Sequence, residues 1–220
     1  MSGTKVKVCG LTRTKDALFA ASRGAEYLGV VLVPETPRFR TPEEARLILD
    51  GSGAHGVIVV ANQEVTWVSD AARTTGADVI QLHGEEPPEF IASLRRQGPW
   101  KIWRALAVRG PEDVIHGIAA FGTVVDGLLL DAWHPERQGG TGRVFSWEAV
   151  AEVRDRVPDD LLLAVAGGLG PENVSQAISC LEPDLVDVSS GVEEEPGIKS
   201  SLLVEAFIRN AKGVKRRGRP

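Results

Sequence analysis

Short apolar runs alternate with amphipathic stretches along almost the whole chain. The β-rich runs fall at 5–8, 27–33, 56–60, 79–82, 101–106, 127–130, 161–165 and 185–188. Helical periodicity fills the intervals, at 14–23, 41–49, 65–75, 88–97, 111–120, 147–156, 171–180 and 200–210. In the first of these, Ala17, Leu18, Ala20 and Ala21 share one side. Short β-rich runs alternating with helical patterns of this length predict βαβ units and a parallel sheet. Eight such units predict an α/β fold, a single (β/α)8 TIM barrel with a closed eight-stranded parallel sheet. An open doubly wound sheet is the alternative, and the lack of Gly-x-Gly-x-x-Gly after the first run weakens its dinucleotide-binding form.

The punctuation fits. Pro42 and Pro171 suit first-turn helix positions, where a missing N–H costs nothing. Gly24 and Gly76 suit left-handed helix ends, and they expose a weak repeat. Arg23-Gly24-Ala25-Glu26-Tyr27 and Thr75-Gly76-Ala77-Asp78-Val79 each close a helix and open a strand. No linker divides the chain, so 1–213 reads as one barrel domain and 214–220 as a basic tail.

Composition narrows the class. With 220 residues, 43% hydrophobic and 25% charged, the chain is long enough for one large core and too apolar for disorder. A net charge of −5 disfavours nucleic acid as a partner. No run has the length of a membrane span or the form of a signal peptide, so no membrane partner is expected. The two cysteines, Cys9 and Cys180, lack metal-ligand spacing; no metal site and a reducing cytoplasm are expected. Basic residues gather from Lys212 onward (Lys212, Lys215, Arg216, Arg217, Arg219), and a solvated terminus is the simplest reading of them.

In a barrel the chemistry gathers where strands end, so the residues following each run carry the most information. The first run ends in Cys9-Gly10-Leu11-Thr12. Cysteine is often only a small buried hydrophobe, but a thiolate at a strand tip can act as base or nucleophile if its pKa falls below roughly 8.5. After the second run, Arg38 and Arg40 stand on a proline-stiffened loop, suited to gripping a carboxylate in a fork. The fourth run delivers Gln81 and His83, and a lone histidine is more often structural than catalytic. The sixth run ends in Asp131, followed by a loop through Gly139-Gly140-Thr141-Gly142. Runs seven and eight lead into Ala166-Gly167-Gly168-Leu169 and Asp187-Val188-Ser189-Ser190-Gly191. Glycines and serines after the last two strands predict a backbone cradle for a phosphate, hence a phosphorylated small-molecule ligand.

Six motifs, in this order and spacing, resemble the phosphoribosylanthranilate isomerase family of tryptophan biosynthesis. They are Lys7-Val8-Cys9-Gly10-Leu11-Thr12, Pro37-Arg38-Phe39, Gln81-Leu82-His83-Gly84, Leu130-Asp131 with 139–142, 166–169, and Asp187-Val188-Ser189-Ser190-Gly191-Val192-Glu193. The similarity runs from Lys5 to about Gly213. It implies a cofactor-free Amadori rearrangement of N-(5-phosphoribosyl)anthranilate to 1-(2-carboxyphenylamino)-1-deoxyribulose 5-phosphate, the third step from chorismate. It further implies Asp131 as the acid that opens the furanose ring and Cys9 as the base at sugar C2. On the same basis Arg38 meets the substrate carboxylate, and Gly167, Gly168, Ser189, Ser190 and Gly191 hold the phosphate. His83, Gly140 and Asp187 lie near the substrate, and the assembly is a monomer or homodimer. An electropositive barrel end would favour the Cys9 thiolate.

Three departures from the family pattern, Ser146, Ala166 and Ser200, remove no proposed catalytic group, and Ser200 remains able to cap the last helix. Trp133 and His134 make the sixth loop bulkier. The rival histidine-pathway isomerases pair two aspartates where this chain has Cys9, and indoleglycerol-phosphate synthase needs a lysine acid at an inner tip. A binding module without catalysis would need neither Cys9 nor Asp131.

Overall fold

The computed structural model describes residues 3–132 and 146–215. Eight parallel strands close into a barrel in sequence order: β1 (Lys5–Val8), β2 (Tyr27–Val31), β3 (His55–Val60), β4 (Val79–Leu82), β5 (Lys101–Val108), β6 (Gly127–Ala132), β7 (Leu162–Val165) and β8 (Leu185–Val188). The barrel closes where β8 pairs with β1, placing Lys7 beside Asp187. The helices are α1 (Thr14–Ser22), α2 (Pro42–Leu49), α3 (Val65–Thr75), α4 (Pro88–Arg95), α5 (Pro111–Phe121), α6 (Trp147–Ala151), α7 (Val174–Leu181) and α8 (Ser201–Lys212). After β8 the chain adds a short antiparallel hairpin, β9 (Glu193–Glu195) with β10 (Ile198–Lys199). No apolar run announces that hairpin in the sequence.

Local chemistry explains most boundaries. Thr41 and Glu44 form a reciprocal capping box ahead of Pro42. Gly24 and Gly76 have φ of 103° and 68°, and Ala25 and Ala77 each donate five residues back, to Ala20 and Ala72. Both helices therefore end in the glycine-dependent left-handed turn. Pro171 corrects the expectation of a first-turn proline: it lies in a turn, and α7 starts only at Val174. The turn persists because Asn173 Oδ1 accepts from the Gly170 N–H while its amide donates to the Gly168 carbonyl. Ser200 occupies the N-cap of α8, but its side chain makes no capping bond. Beyond Ala151 the sixth helix tightens into a 3-10 turn at Arg154–Arg156.

The repeat seen at Glu26 and Asp78 proves fourfold. Glu26, Asp78, Asp126 and Asp184 stand immediately before β2, β4, β6 and β8. Each carboxylate accepts the backbone N–H of Val6, Gly56, Ile102 or Leu163 at 2.8–2.9 Å. Each also donates its own N–H to the carbonyl of that same residue. Every second strand is thus tied to its predecessor at the end opposite the strand tips. Charge-assisted bonds of this kind contribute roughly 1.5–3 kcal/mol.

Two cores result. The larger lies between sheet and helices and includes Val8, Leu28, Ile58, Ile80, Leu128 and Phe207. The smaller fills the barrel with Tyr27, Val57, Val79, Trp103, Ala105, Leu129, Ala164, Ala166 and Leu185. Trp103 packs against Tyr27 with ring centroids 4.9 Å apart. It fits because β6 offers Gly127 there; a Cβ on Gly127 would stand 2.9 Å from the indole. This plug makes the barrel a closed floor below the strand tips.

Lys212 belongs to the barrel. Its ammonium reaches Glu26 and donates to the Thr4 carbonyl, so Lys212 is tied to the start of the chain. Residues 216–220 lie outside the described residues. Among the described residues, no helix is long and apolar enough to cross a membrane.

Candidate active site

A cavity of about 780 Å³ opens at the strand tips, above the Trp103 plug. Cys9, Arg38, His83, Asp131, Gly167, Gly168, Asp187, Ser189, Ser190 and Gly191 all line it. These are the sequence-predicted site residues except Gly140. Gly140, with Trp133 and His134, lies outside the described residues. Among the described residues, no group of three or more His, Cys, Asp or Glu could hold a metal ion.

Cys9 is 7% exposed and sits directly after β1. Gly29 of β2 makes room for it, since a Cβ there would fall 2.8 Å from Sγ. Beneath it, Lys7 is fully buried and donates to Asp187 Oδ2 at 2.9 Å. Burial works against the Lys7 charge, but Asp187 and then Cys9 more than offset it, so the ammonium is held above its ordinary pKa. For Cys9, burial pushes the thiol up; Lys7 and Lys199 pull it down and Asp187 adds to the rise. The balance lies above the ordinary thiol value. The cations of this barrel end favour the thiolate, but they only moderate the larger cost that burial imposes.

Asp131 is the penultimate residue of β6, paired in register with Ala107. Its Oδ2 is 3.4 Å from His83 Nε2, and His83 Nδ1 lies 3.3 Å from the Gln81 amide nitrogen. Donation by that amide leaves Nδ1 as acceptor and directs Nε2–H at the carboxylate, a tautomer assigned from the contacts. Gly167, with φ of 78°, is tied to this geometry. A Cβ there would stand 2.2 Å from the Ala132 nitrogen and 2.6 Å from Asp131 Oδ1. The loop bearing His83 is braced by buried Glu86, which accepts from the N–H of Asn62 and Gly84 and pairs with Arg104 at 2.6 Å.

Arg38 is already engaged. Its guanidinium forks onto Glu193, with bonds of 2.9 and 2.6 Å, and Glu193 also accepts from Lys199 at 2.7 Å. Burial opposes the charge on Glu193, and Arg38 and Lys199 override it, holding the carboxyl below its usual range. Arg38 runs across Gly10, where a Cβ would meet its Cδ at 2.5 Å. Arg40 instead spends its donors on the carbonyls of Thr12 and Phe39, which fixes the loop rather than a ligand. The sequence leaves Glu193 and Lys199 without roles, because Glu193 takes its meaning from Arg38, 155 residues away, and Lys199 from Glu193. Lys7 carried a local signal: it precedes Cys9 by two, the spacing that shares a strand face.

The last two strand ends form one unit. Gly167 and Gly168 have φ of 78° and 66°. Ser190–Val192 make a 3-10 turn after β8. The two loops touch at Gly191, where a Cβ would stand 1.9 Å from the Leu169 carbonyl oxygen. The hairpin β9–β10 packs beside them, pinned by Thr12 Oγ1 donating to the Gly197 carbonyl.

The model of the N-(5′-phosphoribosyl)anthranilate isomerase family matches residues 6–210. A relative of that name from Geobacter sulfurreducens is 40% identical over 212 residues, 95% of this chain and 98% of the relative. The crystal structure of phosphoribosyl anthranilate isomerase from Thermotoga maritima superposes with a TM-score of 0.87 at 36% identity, covering 96% of this chain and all of that one. A phosphoribosyl anthranilate isomerase in complex with reduced 1-(o-carboxyphenylamino)-1-deoxyribulose 5-phosphate gives 0.83 at 34% identity, covering 96% and 100%. The chain therefore belongs to the N-(5′-phosphoribosyl)anthranilate isomerase family.

Proposed function

We propose that this protein converts N-(5-phosphoribosyl)anthranilate into 1-(2-carboxyphenylamino)-1-deoxyribulose 5-phosphate, with Asp131 as general acid and Cys9 as general base. Asp131 protonates the furanose ring oxygen, and the ring opens to a Schiff base. The Cys9 thiolate then takes the proton from sugar C2, and its C–H electrons form the enamine. Arg38 receives the anthranilate carboxylate, and the backbone of Gly167, Gly168, Ser189, Ser190 and Gly191 holds the phosphate. One observation supports this assignment above all: Cys9 on β1 and Asp131 on β6 line the same cavity. Glycine-rich loops at its edge supply a candidate anion site, and Arg38 supplies a cation beside them.

General acid–base groups of this kind each contribute about 10²–10⁴-fold in rate. Cys9→Ala and Asp131→Ala are each expected to lose that much in kcat with the fold intact by circular dichroism. Retention of near-parental kcat by either variant would remove that residue from the mechanism.

The relative from Thermotoga maritima is dimeric, and a monomer or homodimer is proposed for this chain. A cytoplasmic setting belongs to the same proposal, in keeping with two free cysteines. Residues 1–213 would form the catalytic barrel and 214–220 a basic tail.

A further inference from the structure

We infer that Lys7, anchored by Asp187, is the positioning residue that favours the ionised form of Cys9 against its burial; this rests on the reading of Cys9 as the base. Lys7 on β1 and Cys9 directly after the strand are two positions apart and therefore share one face, toward the barrel. Gly29 clears space for both, since a Cβ there would stand 2.8 Å from Cys9 Sγ and 3.1 Å from Lys7 Cε. The ammonium is fully enclosed, and its charge acts on the thiol beside it, favouring the ionised form. Its one carboxylate partner is Asp187, whose second oxygen has no hydrogen-bond partner among the described residues.

Stability alone does not account for such a pair. Burying two charges costs several kcal/mol per ion, and apolar replacements of equal volume are often neutral or stabilising. A cation at the floor of the cavity makes sense where an anion must form just above it. The other groups facing Cys9 fit that assignment. Lys199 from β10 and Arg38 from the loop after β2 add positive charge, Asp187 from β8 opposes it, and β2 contributes only Gly29. His83 and Asp131 act at one remove, through Asp187. When the thiolate accepts the C2 proton it becomes neutral, so the ammonium acts on the resting base and not on the sugar.

The test is alkylation of Cys9 by iodoacetamide as a function of pH, in a Cys180→Ser background that leaves a single thiol. Lys7→Met should raise the midpoint by about one pH unit or more, a tenfold or greater loss of thiolate at a fixed lower pH. Lys7→Arg, which keeps the charge, should stay near the parent. If Lys7→Met alone does not fold, the paired variant Lys7→Met with Asp187→Asn removes both charges. It should still raise the midpoint, by less, because the opposing Asp187 charge goes with it. An unchanged or lowered midpoint in the folded variant overturns the proposal and leaves Lys7 a purely structural ion. A midpoint that rises while Cys9→Ala keeps full isomerase activity would instead remove Cys9 as base and leave the electrostatic coupling standing.

Discussion

Cys9 and Arg38 carry charge into the cavity under opposite conditions. Cys9 must lose a proton in a buried place, and burial lifts its pKa above the ordinary thiol value. A raised base is protonated and idle at low pH and becomes active as pH rises through that value. The acid limb of kcat/KM should therefore lie on the alkaline side of a free thiol; a limb well below it would show that something other than Cys9 titrates. Arg38 stays ionised at all working pH values, and its fork is held by Glu193 before substrate arrives. A second carboxylate can share that guanidinium from its open edge. Arg38→Ala should raise KM about 10- to 100-fold, roughly 1.5–3 kcal/mol, with a smaller change in kcat. A fall confined to kcat would assign Arg38 to chemistry rather than binding. Sequence alone identified Cys9, Arg38 and Asp131 because each sits just past an apolar run or on a proline-stiffened loop. Glu193 and Lys199 escaped because their meaning comes from contact with Arg38 and Cys9, across more than 150 positions of chain.

Strands of this barrel were legible because most of their residues are buried and β-branched or aliphatic, with glycine, proline and capping residues marking most helix ends. The misses have local causes. β9 is the acidic string Glu193-Glu194-Glu195, which no β pattern announces; the turn at Gly197, with φ of 84°, folds it back onto β10. The late start of α7 follows from the Asn173 side chain capturing Gly170. Two substitutions probe these elements. Asp126→Asn weakens the tie to the Ile102 N–H and to Arg95 at the face opposite the cavity. A cost of about 1–2 kcal/mol, or roughly 2–8 °C in Tm, with unchanged kcat/KM is the expected result. Altered kinetics without a Tm change would contradict the separation of the stabilising face from the catalytic one. Gly191→Ala drives a methyl into the Leu169 carbonyl and must part the two phosphate loops. Inhibition by inorganic phosphate should weaken and KM should rise, whereas phosphate inhibition equal to the parent's would place the anion elsewhere.

At the scale of the whole molecule, closure of the barrel makes the site. The β8–β1 seam brings Asp187 to Lys7 and the phosphate loops to Cys9, joining residues from opposite ends of the chain. α8 and Lys212 fasten the same seam from outside, through Thr4 and Glu26. Among the described residues the cavity opens at the strand tips, and the proposed acid, base and anion-binding groups all line it. The most direct measurement is the decay of phosphoribosylanthranilate fluorescence on adding purified protein, beside the same experiment with Cys9→Ala. Rapid decay with the parent and a loss of about 10²-fold or more in the variant is the predicted result. Decay surviving in Cys9→Ala would leave an isomerase with another base, and no decay with the folded parent would contradict the assignment of this reaction to the cavity.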